Sequence, residues 1–293
     1  MTDDPVTDGL LLVDKPGEWT SHDVVARCRR LAGTRRVGHA GTLDPMATGL
    51  LIVGVGRATR LLGHLAMYDK DYLATIALGV TTVTDDADGD VVDVVDAGGV
   101  SDAAIAAAMA ALTGELMQVP SAVSAIKIDG RRSYARVRAG ESVELAARPV
   151  HVAQFSLLAR RGAQLDVAVT CSTGTYVRAL ARDLGASLGV GAHLTALRRT
   201  RIGGFSVSGA RTLDQLADDF QLVPLDAAVS AAFPIRALSD DEVYRVARGQ
   251  RISSIGMPVG PVAAMAPDGS AVALLEERDG QVRSLVVFAP AGS

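Results

Sequence analysis

The sequence contains few cysteines and few lysines. Cys28 and Cys171 are the two cysteines among 293 residues, and they lie too far apart for a CxxC pair. Two isolated cysteines are typical of a reducing compartment, so we expect both to be buried thiols. The three lysines are Lys15, Lys70 and Lys127, while all other basic residues are arginines. Because arginine has displaced lysine elsewhere in the chain, each remaining lysine is a candidate for a specific role.

Long apolar runs are also missing, and the first residues do not predict a leader sequence. No uninterrupted apolar stretch reaches the roughly 18 residues that a membrane helix needs. The acidic N-terminus, MTDDPVTDG, does not fit a signal peptide. With 48% hydrophobic residues the chain has enough material for a core. We expect a cytoplasmic protein without a membrane partner, built as one large domain or as a large domain with a small appendage.

Metal-binding patterns are absent from the sequence. The five histidines are scattered, and none pairs with cysteine or a carboxylate at metal-ligand spacing. The H-x-E and P-C-x-x-C pair of zinc deaminases is missing. We expect neither metal nor other cofactor. A two-carboxylate glycosidase is not excluded by spacing, although no other feature supports it.

Charge is distributed unevenly along the chain. The net charge of −4 argues against a nucleic-acid partner. Five arginines nevertheless fall within residues 27–36 without an acid, and a second basic cluster lies within residues 127–138. Residues 81–96, by contrast, hold six aspartates and no base. Local patches set the field that a polyanion meets, so RNA or DNA remains a candidate partner. We interpret the acidic run as a surface excursion.

Hydrophobic patterns predict strands that alternate with helices. GLLLVDKPG and QLDVAVTCS predict strands, and each precedes a helical pattern. Ser21 is expected to cap the first helix. Arg178 is expected in the first turn of the second, near the strand-to-helix junction. A further helix is predicted between Ser101, its cap, and Gly114, its end.

The remaining segments predict a long loop and a small C-terminal module. Residues 120–147 are basic and lack periodicity, which indicates a functional loop inside a domain. After residue 230, a short helix precedes short strands separated by APDGS and ERDGQ, which are hairpin signals. We predict one domain over 1–230 and a β-rich module over 236–293. Trp19, the single tryptophan, is expected to be a core residue.

The stretch GHAGTLDPMATGLL contains the strongest candidate for chemistry. Asp44 is ionised at neutral pH and can act as a nucleophile or base. Pro45 restricts Asp44 to extended geometry, while Gly38 and Gly41 allow a partner to approach the backbone. Taken alone, an Asp-Pro turn also fits a simple capping role.

Six segments, in order over residues 9 to about 205, resemble the motifs of the TruB-type bacterial pseudouridine synthases. They are LLVDKPGEWTSHDVV, GHAGTLDPMATGLL, KDYLATIALGVTTVTDDADG, VPSAVSAIKIDGRRSYARVRAG, CSTGTYVRALARDLG and GAHLTALRRTRIG. The resemblance implies an α/β (α+β) catalytic domain with a mixed, mainly antiparallel sheet. It also implies a small, β-rich, PUA-like RNA-binding module at the C-terminus. The implied activity is isomerisation of uridine to pseudouridine at position 55 in the tRNA T loop.

The resemblance also implies roles for residues around the reacting base. Asp44 would be the nucleophile, by attack at C1′ or C6 or by way of a glycal-type intermediate. Arg178 would pair with Asp44, and Tyr72 would stack on the base and move a proton. Leu197 would line the base pocket. His39 would fill the gap left by the extruded nucleotides.

The remaining implied roles are supporting ones. Lys15 and Pro16 would support the site from beneath, and Tyr176 would contact the substrate. Arg131 and Arg132, in the thumb-like loop over 120–147, would bind RNA phosphates. The implied partner is tRNA, bound by a monomer that needs no obligatory protein partner. Binding should be salt-sensitive and should rest on the shape and splayed bases of a stem-loop.

Two alternatives remain open. One is a non-catalytic RNA-binding or tRNA-folding protein on the same scaffold, which loss of Asp44, Tyr72 or Arg178 would have favoured. The other is the guide-RNA-dependent relative that works inside a multi-protein particle. The thumb-like segment and the short C-terminal module favour the stand-alone form.

Overall fold

A computed structural model describes residues 8–121, 127–128, 131–132 and 145–288. The helices of these residues are α1 (Ser21–Leu31), α2 (Leu62–Leu65), α3 (Asp102–Ala111), α4 (Val177–Ser187), α5 (Leu213–Asp218), α6 (Leu225–Ala232) and α7 (Asp240–Ala247). The strands up to the predicted loop are β1 (Gly9–Lys15), β2 (Val37–Ala40), β3 (Thr48–Val55), β4 (Lys70–Leu78), β5 (Val80–Thr82), β6 (Val91–Val94) and β7 (Gly114–Gln118). Those that follow are β8 (Lys127–Ile128), β9 (Arg131–Arg132), β10 (Arg148–Arg161), β11 (Gln164–Cys171), β12 (Ala192–Ile202), β13 (Phe205–Ser206), β14 (Val223–Pro224), β15 (Ile235–Ala237), β16 (Val262–Met265), β17 (Ala271–Arg278) and β18 (Gln281–Val287).

One large sheet organises the first 230 residues. Its strand order is β14-β1-β3-β12-β4-β11-β10-β7, with β2 beside β3 and β13 beside β12. Strands β3 and β12 run parallel, and the other paired strands of this sheet are antiparallel. The prediction of a mixed, mainly antiparallel sheet is therefore confirmed.

The burial of the strands explains their sequence patterns. In β11, Leu165, Val167 and Val169 point into one core, as the alternation predicts. Strand β3 is buried along almost its whole length. Leu50 and Ile52 enter one cluster, while Leu51 and Val53 enter another. Because both faces are covered, this strand shows no alternation of apolar and polar residues.

The predicted helices form with small shifts at their ends. Ser101 caps α3 as expected, but the helix ends at Ala111 and not at Gly114. Gly114 instead opens strand β7 with a φ of 101°, a left-handed conformation that glycine adopts without steric cost. Cys28 and Cys171 are buried free thiols, as predicted.

The last part of the chain forms a second sheet, with strand order β15-β16-β17-β18. Its two hairpins fall at the turn sequences named above. Leu274 and Phe288 pack with Leu10 and Ile52 in one core, so this sheet is seated against the large one. The division at residue 230 remains a prediction. No helix in the described ranges is long and apolar enough to cross a membrane.

Candidate active site

Asp44 lies on the turn between β2 and β3, at the point where β3 meets β12. Ala47 closes the turn by donating its backbone N–H to the Asp44 carbonyl at 3.1 Å. Gly49, the second residue of β3, has a φ of 97°, and a Cβ atom there would lie 2.3 Å from the Arg199 carbonyl oxygen. Glycine is therefore required for the close approach of β3 to β12. The turn is held by three side chains from different parts of the chain.

Lys15 is the first of these anchors and ends strand β1. Its side chain is fully buried, and Nζ donates to the carbonyls of Pro16 at 2.8 Å, Trp19 at 2.6 Å and Pro45 at 3.1 Å. Burial lowers the pKa of Lys15 to about 8, against the opposing attraction of the Asp44 carboxylate. Lys15 thus bonds the carbonyl of Pro45, the residue after Asp44, while its supporting role in the reaction stays a prediction.

Ser21 is the second anchor, and its predicted role as a helix cap is wrong. Thr20 caps α1 and forms a capping box with Asp23. The cap position therefore lies one residue earlier, which leaves the buried Ser21 hydroxyl free for another contact. Its Oγ accepts from the Leu43 N–H at 2.9 Å and donates to the Leu43 carbonyl at 3.1 Å. Helix α1 therefore fixes both backbone groups of the residue that precedes Asp44.

Arg199 is the third anchor, and the sequence motifs gave it no separate role. It is 1% exposed on β12. Its Nε donates to the Leu50 carbonyl at 2.8 Å and its Nη2 to the Gly41 carbonyl at 3.1 Å. Arg199 also lies opposite Tyr72 on β4. The available signal was the spacing of Arg199, two residues after Leu197 and therefore on the same face of the strand, because a charged residue on a buried face needs internal partners.

Arg178 and Asp44 come together as predicted. Arg178 lies in the first turn of α4 and is 5% exposed. Its Nη2 donates to Asp44 Oδ1 at 3.1 Å, while its Nε lies 3.0 Å from Oδ2. A planar guanidinium that faces both oxygens fixes the orientation of a carboxylate as well as its charge. Asp44 keeps 36% of its side chain exposed, so it still faces the outside of the turn.

Asp86 shows that the acidic run is more than a surface excursion. The Asp86 carboxylate is 5% exposed, and its Oδ2 lies 3.1 Å from Arg178 Nη1. The same Nη1 donates to the Thr84 carbonyl at 3.0 Å. The interpretation of this run as a surface excursion is wrong for Asp86. The local sequence of an acid-rich loop predicts exposure to solvent, because it gives no sign of an arginine partner 92 residues away. Asp86 and Asp44 thus share one arginine.

The charge state of Asp44 reflects opposing effects. Burial raises the pKa of Asp44, and repulsion from Asp86 acts in the same direction. The Arg178 guanidinium and the Lys15 ammonium group lower it. Arg178 is the largest of the stabilising influences on the carboxylate.

The two residues of the predicted base pocket lie in the core next to the Asp44 turn. Tyr72 and Leu197 are 8% and 7% exposed and belong to one core cluster together with Leu43. Burial raises the pKa of the Tyr72 hydroxyl, while Arg199 opposes the shift. The structure thus brings the predicted base-pocket residues to the same end of the sheet as Asp44.

His39 and Tyr176 flank this group. His39 lies on β2, and its ring packs edge-on against His22 with centroids 5.7 Å apart. Burial lowers the pKa of His39, which favours the neutral ring. Tyr176 is the N-cap residue of α4, and its N–H donates to Gln118 Oε1 at 2.8 Å. Gln118 thereby ties α4 to the strand that precedes the predicted thumb-like loop.

The two arginines that are predicted to bind RNA lie on a short hairpin. Strands β8 and β9 pair antiparallel, with Lys127 opposite Arg132 and Ile128 opposite Arg131. Most of the predicted loop, 120–147, lies outside the described residues. The predicted contact of Arg131 and Arg132 with phosphates stays a prediction.

Comparisons with known families cover nearly the whole chain. Residues 29–177 match the model described as TruB family pseudouridylate synthase, N-terminal domain. Residues 178–230 match the tRNA pseudouridylate synthase B C-terminal domain, and residues 233–289 match tRNA pseudouridine synthase II, C terminal. The chain therefore belongs to the TruB family of pseudouridylate synthases, which confirms the resemblance seen in the motifs.

Individual relatives agree with this assignment. The chain is 58% identical over 292 residues to tRNA pseudouridine synthase B of Thermobifida fusca, and the match covers 97% of this chain and 99% of that one. The protein of the same name from Nocardia farcinica is 58% identical over 289 residues, covering 97% and 94%.

Solved structures share the fold at lower identity. A crystal structure of a Cbf5–Nop10–Gar1 complex matches with a TM-score of 0.76 and 27% identity, over 98% of this chain and 86% of that one. An H/ACA RNP bound to a substrate RNA containing 2′-deoxyuridine matches with a TM-score of 0.73 and 26% identity, over 97% and 86%.

Proposed function

We propose that this chain isomerises uridine to pseudouridine at position 55 in the T loop of tRNA. It acts in the cytoplasm as a monomer, without cofactor, guide RNA or obligatory protein partner. The support comes from family membership and from relatives named tRNA pseudouridine synthase B that are 58% identical over almost the full chain. The observation that carries the chemistry is the Asp44–Arg178 pair on a turn fixed by three buried anchors.

The reaction needs a nucleophile and a pocket, and it needs no redox partner. The C1′–N1 bond of uridine breaks, the base turns, and a C1′–C5 bond forms. C5 loses its proton and N1 gains one, so atoms and electrons balance within the substrate and solvent. Asp44 supplies the nucleophilic oxygen, and its partly exposed carboxylate is open on the side away from Arg178.

Arg178 positions and charges the nucleophile. Its Nη2 bonds one Asp44 oxygen and its Nε lies 3.0 Å from the other, and both contacts favour the ionised form over the protonated one. Asp86 and the Thr84 carbonyl hold the other side of the same guanidinium. Asp86 is thus a positioning residue that acts on Asp44 through Arg178.

The apolar residues beside Asp44 receive the base. Extruding a uridine from its stack costs a few kcal/mol, which pocket contacts must repay. Tyr72 offers an aromatic face for stacking and a hydroxyl for moving the C5 proton, while Leu197 closes the pocket. Arg199 lies opposite Tyr72 on the neighbouring strand and binds the Gly41 carbonyl, so it connects the strand of the proton mover to the Asp44 turn.

Residues around the pocket hold the rest of the RNA. His39 fills the space left in the stack, which suits a ring whose lowered pKa favours the neutral, apolar form. Tyr176 lies at the start of α4 beside Arg178 and contacts the substrate there. Arg131 and Arg132 bind phosphates from the hairpin.

The test uses a tRNA transcript with tritium at C5 of uridine and the protein alone. Isomerisation leaves mass unchanged, but it releases the C5 tritium. One equivalent released per tRNA, and none with Asp44→Ala, is expected. Mapping the product to position 55 tests the site. Tight binding without release would support the non-catalytic RNA-binding alternative. Release that required an added guide RNA would support the guide-dependent one.

A further inference from the structure

A groove with a volume of about 740 Å³ opens beside the Asp44 turn, between helix α1 and the start of α5. Its walls carry Lys15, Pro16, Trp19, Arg27, Arg30 and Arg198. The roles assigned above leave Trp19 and the three arginines unused. The groove combines an exposed aromatic ring with several cations.

Trp19 is not the core residue that the sequence predicted. It is 37% exposed, because Glu18 adopts a left-handed backbone with a φ of 65° and the chain turns outward there. Lys15 meanwhile binds the Trp19 carbonyl at 2.6 Å. The backbone of Trp19 is therefore fixed while its indole ring lines an open groove.

The cations in the groove fall into two kinds. Arg198 donates to both oxygens of Asp14, at 2.9 and 2.7 Å, so these two charges compensate each other. Arg27 and Arg30, three residues apart on α1, form no ion pair with any described residue. Asp214 is the other carboxylate in the lining, so arginines outnumber acids.

An exposed aromatic ring on an anchored backbone, next to uncompensated arginines, is the chemistry that binds single-stranded nucleic acid. Bases of any sequence stack on the ring, and the cations follow the phosphates. We propose that this groove binds an unpaired segment of the substrate RNA, with one base on Trp19 and phosphates at Arg27 and Arg30. The inference rests on the proposed function, since it takes RNA to be the substrate.

The groove is connected to the reaction site through shared residues. Lys15 lines the groove and also binds the Pro45 carbonyl, next to Asp44. Thr48 lines it too, and its Oγ1 contacts the Leu197 carbonyl at 3.5 Å. RNA held in the groove therefore lies one layer of residues away from the base pocket. Its contribution should fall on substrate binding and not on the chemical step.

The unique tryptophan makes stacking directly observable. The full-length Asp44→Asn variant, chosen to prevent turnover, is titrated with unmodified tRNA transcript while tryptophan fluorescence is recorded. Stacking of a base on Trp19 should quench the emission with the same midpoint as binding measured by filter retention. Saturated binding with unchanged fluorescence would overturn the proposal.

Kinetics of variants supply the second test. Trp19→Ala should raise KM between about fivefold and about 100-fold, the range expected for loss of one base–aromatic stack, with kcat unchanged. Trp19→Phe keeps a ring and should stay within about threefold of the wild type. A Trp19→Ala protein with unaltered KM would refute the stacking contact.

The arginines have a matched control on the same stretch of chain. Arg27→Ala with Arg30→Ala should weaken binding and reduce the salt slope by about 1.4, as for two phosphates on a single strand. Arg35→Ala with Arg36→Ala removes the same charge outside the groove and should have a clearly smaller effect. Equal losses of tRNA binding in the two double variants would show only a general electrostatic attraction and would overturn the proposed RNA contact in the groove.

Failure of this inference is distinguishable from failure of the proposed function. If the wild-type protein released no tritium but Trp19 fluorescence still responded to RNA, the isomerase proposal would fall and the groove would stand. If tritium were released normally but RNA did not change the fluorescence and Trp19→Ala did not change KM, the isomerase proposal would stand and the groove proposal would fall.

Discussion

The two sides of the Asp44 turn are held by different kinds of interaction. On one side Lys15, Ser21 and Arg199 bind backbone groups of residues 41–45. We call this the backbone wall. On the other side Arg178 binds carboxylates, those of Asp44 and Asp86. We call this the charged wall.

The difference separates position from reactivity. Hydrogen bonds to carbonyls and N–H groups fix where the Asp44 backbone lies, whatever its side chain does. The charged wall sets the orientation and protonation of the carboxylate itself. Changes in the charged wall should therefore alter kcat and its pH dependence, while changes in the backbone wall should also alter the free energy of unfolding.

The largest effect is expected from removing the nucleophile. Asp44→Ala should lower kcat by more than about 10⁴-fold, because the covalent route is lost, while tRNA binding stays near the wild-type value. Tritium release and filter binding measure the two quantities. Asp93→Ala, an exposed acid on β6, is the control and should keep full activity. Full activity in Asp44→Ala would mean that the site is assigned wrongly.

Arg178→Lys should break the charged wall and leave the backbone wall intact. Lysine keeps the charge but cannot face both carboxylate oxygens, so kcat should fall by about 10²-fold. The Arg178 hydrogen bond lowers the pKa of Asp44 in addition to the effect of its charge, so losing that hydrogen bond should raise the pKa further even though lysine keeps the charge. The ionised carboxylate then disappears at a higher pH, and the acid limb of the kcat profile should shift upward. An unshifted limb would count against this coupling.

Ser21→Ala and Thr20→Ala form a pair of neighbouring changes on the backbone wall. Ser21→Ala leaves the buried Leu43 N–H without its acceptor and should cost about 1–3 kcal/mol of unfolding free energy. It should also lower kcat, because Leu43 precedes Asp44. Thr20→Ala removes only the helix cap, at about 1 kcal/mol, and should leave kcat unchanged. Urea unfolding and tritium release distinguish them. Equal kcat values in the two variants would contradict the anchoring role of Ser21.

The smallest effect on chemistry is expected outside both walls. Substituting Arg131 and Arg132 by alanine should weaken tRNA binding and make it less dependent on salt, because two phosphate contacts are lost. The value of kcat at saturating tRNA should not change. Binding measured at several salt concentrations provides the check. An unaltered salt slope would show that these two arginines do not contact RNA phosphates.

Much of the fold followed from local patterns. The alternation in β11 and the helix that carries Arg178 were predicted because each depends on a single buried face. The acidic run at Asp86 and the exposure of Trp19 were not, because each depends on a partner or a turn that no local pattern contains. The end of α3 was missed by a few residues, because Gly114 serves the next strand.

The sequence by itself determined the family, the mixed sheet and the presence of Asp44, Tyr72 and Arg178 in motifs of compatible spacing. Only the tertiary structure decided which groups share a partner. Arg199 reaches Gly41 across 158 positions, and Ser21 reaches Leu43 across 22. Such bonds exist because a buried charge or hydroxyl must find a polar group wherever the fold brings one within reach. The residue type therefore determines that a polar partner is needed, but tertiary packing determines which group becomes that partner.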